Sequence, residues 1–124
     1  MAAQLTDRWL RKEYLKLNRR WFDGKLPRNT VVKWCDSFPK PDNGVYGRTV
    51  TYRASGTKPG APIIGFGITI SRRAERSGMA TVMVTLLHEM AHVKTWRSSR
   101  APHGRVWVME MRRLAAAGAF DKLW

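Results

Sequence analysis

Two histidines one helical turn apart, His88 and His92, enclose a glutamate in the sequence His-Glu-Met-Ala-His. On an α-helix, positions i and i+4 lie on the same face, so both imidazoles can point at one centre. Neutral imidazole is a good ligand for Zn²⁺, and two of them begin a tetrahedral catalytic site. Glu89 projects close to both rings, where it could take the proton of an attacking water. The pattern predicts a catalytic zinc site, against the plainer alternative of two helix histidines that only cap or pair.

The helical pattern that carries this motif, from Ser77 to Trp96, is apolar over most of its surface. A solvated helix would carry several charges on its polar face, whereas this face carries only one glutamate. We therefore expect a helix that is buried on most sides and turns one polar stripe towards a cleft. At about 100° per residue, that stripe contains Thr81, Thr85, His88, Glu89, His92 and Trp96.

A catalytic zinc needs a third protein ligand, and two downstream residues could supply it. His103 follows a polar turn, and a histidine just before a helix can point back across a short loop. Glu110 lies inside the next helical pattern, a layout that other zinc enzymes use for a glutamate ligand. The spacing favours His103 and leaves Glu110 open. Otherwise, His103 is an exposed loop histidine and Glu110 is a solvated charge beside Arg113.

Further segments flank the motif in a fixed order along the chain. They read Trp-Phe-Asp-Gly-Lys-Leu-Pro at 21–27, Val-Val-Lys-Trp at 31–34, Ile-Thr-Ile-Ser at 68–71, Leu-Leu-His-Glu-Met-Ala-His at 86–92 and His-Gly-Arg-Val-Trp at 103–107, with Gly44 or Gly47 in mid-chain. From about residue 5 to residue 118, this arrangement resembles the SprT-like zinc metalloproteases, which include the Spartan-type proteases of DNA–protein crosslinks.

The resemblance implies a zincin-like fold with one Zn²⁺ bound by His88, His92 and His103. It also implies that Glu89 is the catalytic base of an endopeptidase that acts on DNA-associated proteins, with a role in crosslink repair. Two features depart from the family. The loop between the second and third histidines is shorter than in Spartan-type members, and the single cysteine, Cys35, excludes a cysteine-rich zinc ribbon. Any contact with nucleic acid is then expected from this core or from a partner.

The charge balance points to a polyanionic partner. Lys and Arg number 23 against nine Asp and Glu, which gives a formal net charge of +14. Such a field attracts phosphate backbones, and no motif for reading base sequence is present, so we expect non-specific contact with DNA. The alternatives are a generic basic face or a face for acidic protein substrates. The basic residues nearest the motif are Arg72, Arg73, Arg76, Lys94, Arg97, Arg100 and Arg105.

Three functions from different classes are compatible with these features. The first is a zinc endopeptidase that cleaves proteins held on DNA. The second is a basic nucleic-acid-binding module with a structural metal and no significant hydrolysis, which would show a steep dependence of binding on salt. The third retains the catalytic zinc but hydrolyses another amide, such as a peptidoglycan-like peptide.

Composition indicates one intracellular domain over residues 1–124. Hydrophobic residues make up 44% of the chain, enough for a core, and a lone cysteine fits a reducing compartment. We expect no signal peptide, because charged residues begin at Asp7 and Arg8, and no membrane span, because the longest apolar stretch is too short. The expected protein is a cytoplasmic monomer, compatible with association with a nucleoid or a phage.

The elements that must position the site follow an α+β order of helix, three-stranded sheet, helix and helix. Thr6 can cap a first helix that runs to about Phe22, and a final helix is predicted from about Gly104 to Ala117. Trp96 and Trp107 are interpreted as core or cleft-wall aromatics. The extended segments are Val31 to Cys35, Val45 to Arg53 and Ile63 to Ser71.

One strand is predicted to bind substrate along the edge of this sheet. Proteases of this type commonly add their substrate as an extra strand beside the metal. We expect Ile63 to Ile70 to be that edge, because it immediately precedes the motif-bearing helix. Gly65 and Gly67 would let another backbone approach, although they could equally relieve packing or form a bulge.

Overall fold

A computed structural model describes residues 4–54, 61–98 and 103–121. Its elements follow the predicted α+β order, with one additional short helix. They are α1 (Asp7–Trp21), β1 (Val31–Cys35), a 3₁₀ turn (Asp42–Gly44), β2 (Gly47–Arg53), β3 (Ile63–Ser71), α2 (Arg72–Ser77), α3 (Met79–Thr95) and α4 (Arg105–Ala116). Across the described residues, no helix combines the length and the apolar character that crossing a membrane requires.

The three strands form one mixed sheet with β3 in the centre. The spatial order is β1-β3-β2, in which β1 runs parallel and β2 antiparallel to β3. The expectation that Ile63 to Ile70 forms an edge is therefore wrong. The apolar run of Phe66, Ile68 and Ile70 is buried in the core, which suits a strand paired on both sides. Gly67 leaves room for the side chain of Tyr52 on the neighbouring strand, since a Cβ added at Gly67 would lie 2.9 Å from the Tyr52 hydroxyl.

One face of this sheet packs into the hydrophobic core. Val32 of β1 lies opposite Ile68 of β3, and both are buried. They belong to one cluster with Tyr14 of α1 and with Leu86 and Met90 of α3. The motif-bearing helix is thus packed against the sheet, which holds its side chains in fixed positions relative to the strands.

The first helix begins and ends where its sequence predicts. The Thr6 hydroxyl accepts a hydrogen bond from the Trp9 amide at 3.0 Å, so it is the N-cap. The Asn18 side chain donates to the Leu26 carbonyl and accepts from the Leu26 amide, both at 3.0 Å. These two bonds fix the turn that leads from α1 towards β1.

The short helix α2 separates β3 from α3 and has no counterpart in the sequence prediction. The Ser71 hydroxyl caps it by accepting from the Arg73 amide at 3.1 Å. Gly78, with φ +121°, then ends it and starts α3 at a new angle. Ten residues of α3 are buried, which confirms the expectation of a helix enclosed on most sides.

Candidate metal centre

All three histidines of the chain meet at one point. His88 and His92 lie one turn apart on α3, and His103 lies two residues before α4. The Nε2 atom of His88 is 3.2 Å from that of His92, and the Nε2 atom of His103 is 3.1 Å from each of them. The three side chains are therefore close enough to bind one metal ion.

The geometry of these nitrogens fits a shared cation better than mutual hydrogen bonding. Each Nε2 carries either one proton or one lone pair, so three of them cannot satisfy one another in a closed triangle. A tetrahedral ion with metal–nitrogen distances of about 2.0–2.1 Å would hold its ligands roughly 3.3 Å apart, close to the spacing found. Burial, together with the neighbouring imidazoles, lowers the pKa of His88 and of His92 to about 4. Both rings are then neutral at pH 7, the form that binds metals.

A tryptophan from α4 backs all three rings. The Trp107 indole stacks on His92 with ring centroids 5.3 Å apart, and it lies edge-on to His88 and to His103 at 4.7 Å. Its Nε1 donates to the His88 carbonyl at 3.4 Å. Trp96 and Trp107 were interpreted as core or cleft-wall aromatics: both pack against the hydrophobic core, and Trp96 also lines the cleft in front of the histidines. The contacts of Trp107 restrict how the imidazoles can rotate.

Glu89 lies beside the triad with its carboxylate almost fully buried. Oε2 is 3.7 Å from the His88 Nε2, and Oε1 accepts a hydrogen bond from the Thr49 hydroxyl at 2.8 Å. Burial raises the pKa of Glu89 to about 7, although the Thr49 hydrogen bond and the Arg48 charge act to lower it. A carboxyl group that titrates near neutrality can both accept and return a proton at pH 7.

The metal cleft is the space in front of these groups, with a volume of about 280 Å³. One wall comes from the start of β2 and the other from α3 and His103. Its lining residues are Val45, Gly47, Arg48, Thr49, His88, Glu89, His92, Trp96 and His103. A larger cleft of about 540 Å³ lies between residues 21–27 and the end of α3, but it contains none of the histidines. The chemistry is therefore in the smaller space.

Gly47 allows β2 to approach α3 closely enough to contact Glu89. A Cβ added at Gly47 would lie 2.7 Å from the Thr85 Cγ2 and 3.1 Å from the Glu89 Oε2. The sequence singled out Gly44 or Gly47 without a structural reason. A glycine is needed at position 47 because β2 approaches α3 so closely there, and this approach brings Thr49 within hydrogen-bonding distance of the Glu89 carboxylate.

Gly47→Ala is expected to lower the free energy of unfolding by about 1–3 kcal/mol, because the added methyl group must displace Thr85 or Glu89. Combining it with Thr85→Ser should recover part of the loss, since serine lacks the clashing Cγ2 but keeps the hydroxyl that donates to the Thr81 carbonyl. Urea unfolding of both single variants and the double variant measures this coupling. Strictly additive effects would show that the two groups do not clash.

Glu110, the alternative third ligand, lies in a different environment. It is 7% exposed and receives the Lys94 Nζ at 2.7 Å and the Arg113 Nη2 at 2.5 Å. The prediction of a solvated charge beside Arg113 is thus correct about the partner and wrong about the burial. Lys94 and Arg113 each pair with one oxygen of the carboxylate, and the Lys94 pair links α3 to α4. Glu110 is therefore not part of the histidine group.

Glu110→Gln is expected to lower the free energy of unfolding by about 1–3 kcal/mol, because an amide cannot replace the charge-assisted contacts that the carboxylate makes with Lys94 and Arg113. The cost stays below that of a fully buried ion pair, since Lys94 and Arg113 are each about two-fifths exposed and can be solvated. Chemical denaturation measures the change. Glu13→Gln is the matched control, because the ion-pair partner of Glu13 is the exposed Lys16 on the same helix. Equal values for the two variants would contradict the structural role of Glu110.

The basic residues predicted to contact nucleic acid fall into distinct groups. Arg72 donates to Glu75 and lies over the Trp34 ring, and Lys94 is paired with Glu110. Arg97 lines the larger cleft and Arg105 is exposed at the start of α4. Arg100 lies outside the described residues. Arg73 and Arg76 are exposed on α2 and share a small cleft of their own.

Comparison of the chain with family models, with curated proteins and with solved structures finds no match in any of the three. Two contributors to the site were not found from the sequence, namely the Thr49 hydroxyl and the contacts of Trp107 with all three imidazoles. Threonine is common in strands and tryptophan commonly packs against a core, so neither residue carries a local signal of a site. The chemistry of the metal cleft is therefore the ground on which a function can be assigned.

Proposed function

We propose that this protein is a zinc-dependent endopeptidase of the SprT-like type, with a zincin-like fold, that acts on DNA-associated proteins. One observation carries the proposal: three histidine nitrogens converge beside a buried carboxylate in an open cleft. Three imidazoles and an open fourth position are the donor set of a catalytic zinc. Imidazole ligands disfavour Mg²⁺ and Ca²⁺, which prefer oxygen, and Zn²⁺ is proposed among the remaining ions because three histidines beside a carboxylate are the donor set of hydrolytic zinc sites.

Each residue of the metal cleft has a separate role in peptide hydrolysis. When bound, zinc lowers the pKa of a water in its open position to about 7 and polarises a carbonyl group. Glu89 accepts the proton of the attacking water and returns it to the leaving amine. Thr49 holds the Glu89 carboxylate in place through its hydrogen bond to Oε1, and Trp107 holds the imidazoles.

Substrate is proposed to bind along β2. Within the described part of the chain, β2 pairs with β3 on one side only, so its other side is a free edge. Gly47, Arg48 and Thr49 at the start of this strand also line the metal cleft. A peptide that adds to this edge as a further strand would pass in front of Glu89 and the histidines. The substrate-binding role that the sequence predicted for β3 is therefore proposed for β2 instead.

The proposed link to DNA rests on charge. The formal net charge of +14 is spread over a chain of 124 residues and favours association with a polyanion. Contacts to the phosphate backbone would be independent of base sequence and would weaken steeply as salt is added. A DNA-bound protein would then be concentrated near the metal cleft.

The decisive experiment combines zinc analysis with cleavage of a basic DNA-binding protein, in the presence and absence of single-stranded DNA. We expect one zinc per chain and cleavage that increases when DNA is added. A chelator should abolish the cleavage, and zinc should restore it. Zinc binding and salt-sensitive DNA binding without any cleavage would instead identify a binding module with a structural metal. Cleavage that does not respond to DNA would indicate another amide substrate.

A further inference from the structure

A second cleft, the arginine cleft, lies beside the metal cleft. Its lining residues are Ser37, Tyr46, Arg73, Arg76 and Ser77, and its volume is about 360 Å³. Every lining side chain carries a hydrogen-bond donor, and none is a carboxylate. Two guanidinium groups with hydroxyl groups around them form a donor set suited to a phosphate oxygen cluster rather than to a cation.

Two of the three hydroxyl groups of this cleft, those of Tyr46 and Ser77, are fixed by hydrogen bonds. The Tyr46 hydroxyl lies 3.1 Å from the Ser77 Oγ, and the Ser77 hydroxyl donates to the Arg73 carbonyl at 3.1 Å. The Tyr46 carbonyl accepts from the Ser71 amide at 2.8 Å, which fastens this segment to the start of α2. The cleft is therefore built by two elements that hold each other in position.

The two arginines have no anionic partner within residues 4–54, 61–98 and 103–121. Neither the Arg73 nor the Arg76 guanidinium makes an ion pair or a hydrogen bond there, whereas the adjacent Arg72 is engaged by Glu75 and Trp34. Like charges three residues apart on a helix repel each other. A bound anion between them would remove that repulsion and supply the missing partner.

The position of the arginine cleft relates it to the metal cleft. Tyr46 lines the former, while its two neighbours, Val45 and Gly47, line the latter. The two clefts thus share one short stretch of chain as a wall. Whatever binds at Arg73 and Arg76 is held against the segment that leads into β2, the strand with the free edge.

We propose that the arginine cleft binds the phosphate groups of a nucleic-acid backbone and so holds the strand next to the metal cleft. This inference rests on the DNA association in the proposed function and gives it a location. Guanidinium forks match phosphate oxygens, and hydroxyl side chains commonly add backbone contacts. The formal net charge of +14 favours a long polyanion over an isolated acidic side chain of a protein. A protein attached to that strand would then lie within reach of the β2 edge.

The test compares two double variants that remove the same charge. Arg73→Ala with Arg76→Ala empties the arginine cleft, while Arg19→Ala with Arg112→Ala removes two exposed arginines elsewhere. Fluorescence anisotropy with a labelled single-stranded oligonucleotide gives the dissociation constant at several salt concentrations. We expect the cleft variant to bind about tenfold more weakly than the control variant, with a salt slope smaller by about 1. Circular dichroism melting checks that both variants are folded.

The possible outcomes separate this inference from the proposed function. Equal losses of DNA affinity in the two double variants would contradict binding at the arginine cleft but not the association with DNA. If the parent protein does not bind DNA, both the cleft inference and the DNA association are wrong. DNA binding without peptide cleavage would contradict the endopeptidase function but not the cleft inference. If the cleft variant keeps its DNA affinity but cleaves an acidic, DNA-free peptide less well than a neutral one, the cleft binds substrate carboxylates and the inference is wrong.

Discussion

Glu89→Gln is expected to reduce peptide-bond cleavage by about 10³-fold, within the range of 10²–10⁴ for loss of a general base. Glutamine has the same shape and can still accept the Thr49 hydrogen bond through its carbonyl oxygen, so the cleft should keep its form. The amide cannot accept a proton near neutral pH. The three histidines are unchanged, and zinc should therefore stay bound at one per chain.

Steady-state cleavage of a DNA-binding protein, with zinc content measured on the same samples, tests this expectation. Glu13→Gln makes the same chemical change at a carboxylate on α1 that pairs with the exposed Lys16, and it should cleave like the parent protein. Equal turnover by the Glu89 variant and the parent would end the assignment of Glu89 as the base. A Glu89 variant that loses zinc would instead show that this carboxylate helps to hold the metal.

His103→Ala is expected to weaken zinc binding by more than about 100-fold. Changes to groups that only orient metal ligands cost about 10- to 100-fold in affinity, and removal of a ligand should exceed that. The variant would leave His88 and His92 as the only imidazoles in the chain. Alanine also removes the edge contact with Trp107, so a small loss of thermal stability should accompany the loss of metal.

Competition with a chromophoric chelator measures the affinity of each variant for zinc. Glu110→Gln is the informative comparison, because Glu110 was the other candidate for the third ligand. It should keep parental zinc affinity even though it lowers the stability of the fold. The opposite pattern, with zinc lost from the Glu110 variant and retained by the His103 variant, would require a different arrangement of α4 from the one found.

The contact between α3 and α4 links the stability of the fold to the geometry of the metal centre. His103 enters the site from the chain just before α4, and Trp107 on α4 packs against all three rings. Glu110 on α4 is also linked to α3 by its ion pair with Lys94, and it pairs with Arg113 within α4. Arg113 also donates to the Trp21 carbonyl at 2.8 Å, so the end of α1 is tied in as well. The contact between α3 and α4 thus contains both the histidine group and a separate ion pair that stabilises the fold.

Local spacing in the sequence was sufficient for the first half of the site. His88, Glu89 and His92 lie within about one turn of a single helix, and helical geometry alone brings their side chains together. The caps and turns of the major elements follow from short-range chemistry too, as the Thr6 cap of α1 shows. These features need no knowledge of how distant segments pack, so a short stretch of sequence determines them.

Tertiary structure alone decided the rest. His103 and Glu110 were both compatible with the spacing, and the packing of α4 on α3 placed one at the metal centre and the other in an ion pair. The order of the strands, which makes β2 the free edge, depends on pairing between segments far apart in the chain. Tertiary structure also distinguishes the arginines of α2, since only their neighbours in space show that Arg72 pairs with a carboxylate while Arg73 and Arg76 have no such pair among the described residues. Residues that are distant in sequence meet through the burial of a shared core, and periodicity along one segment does not encode that meeting.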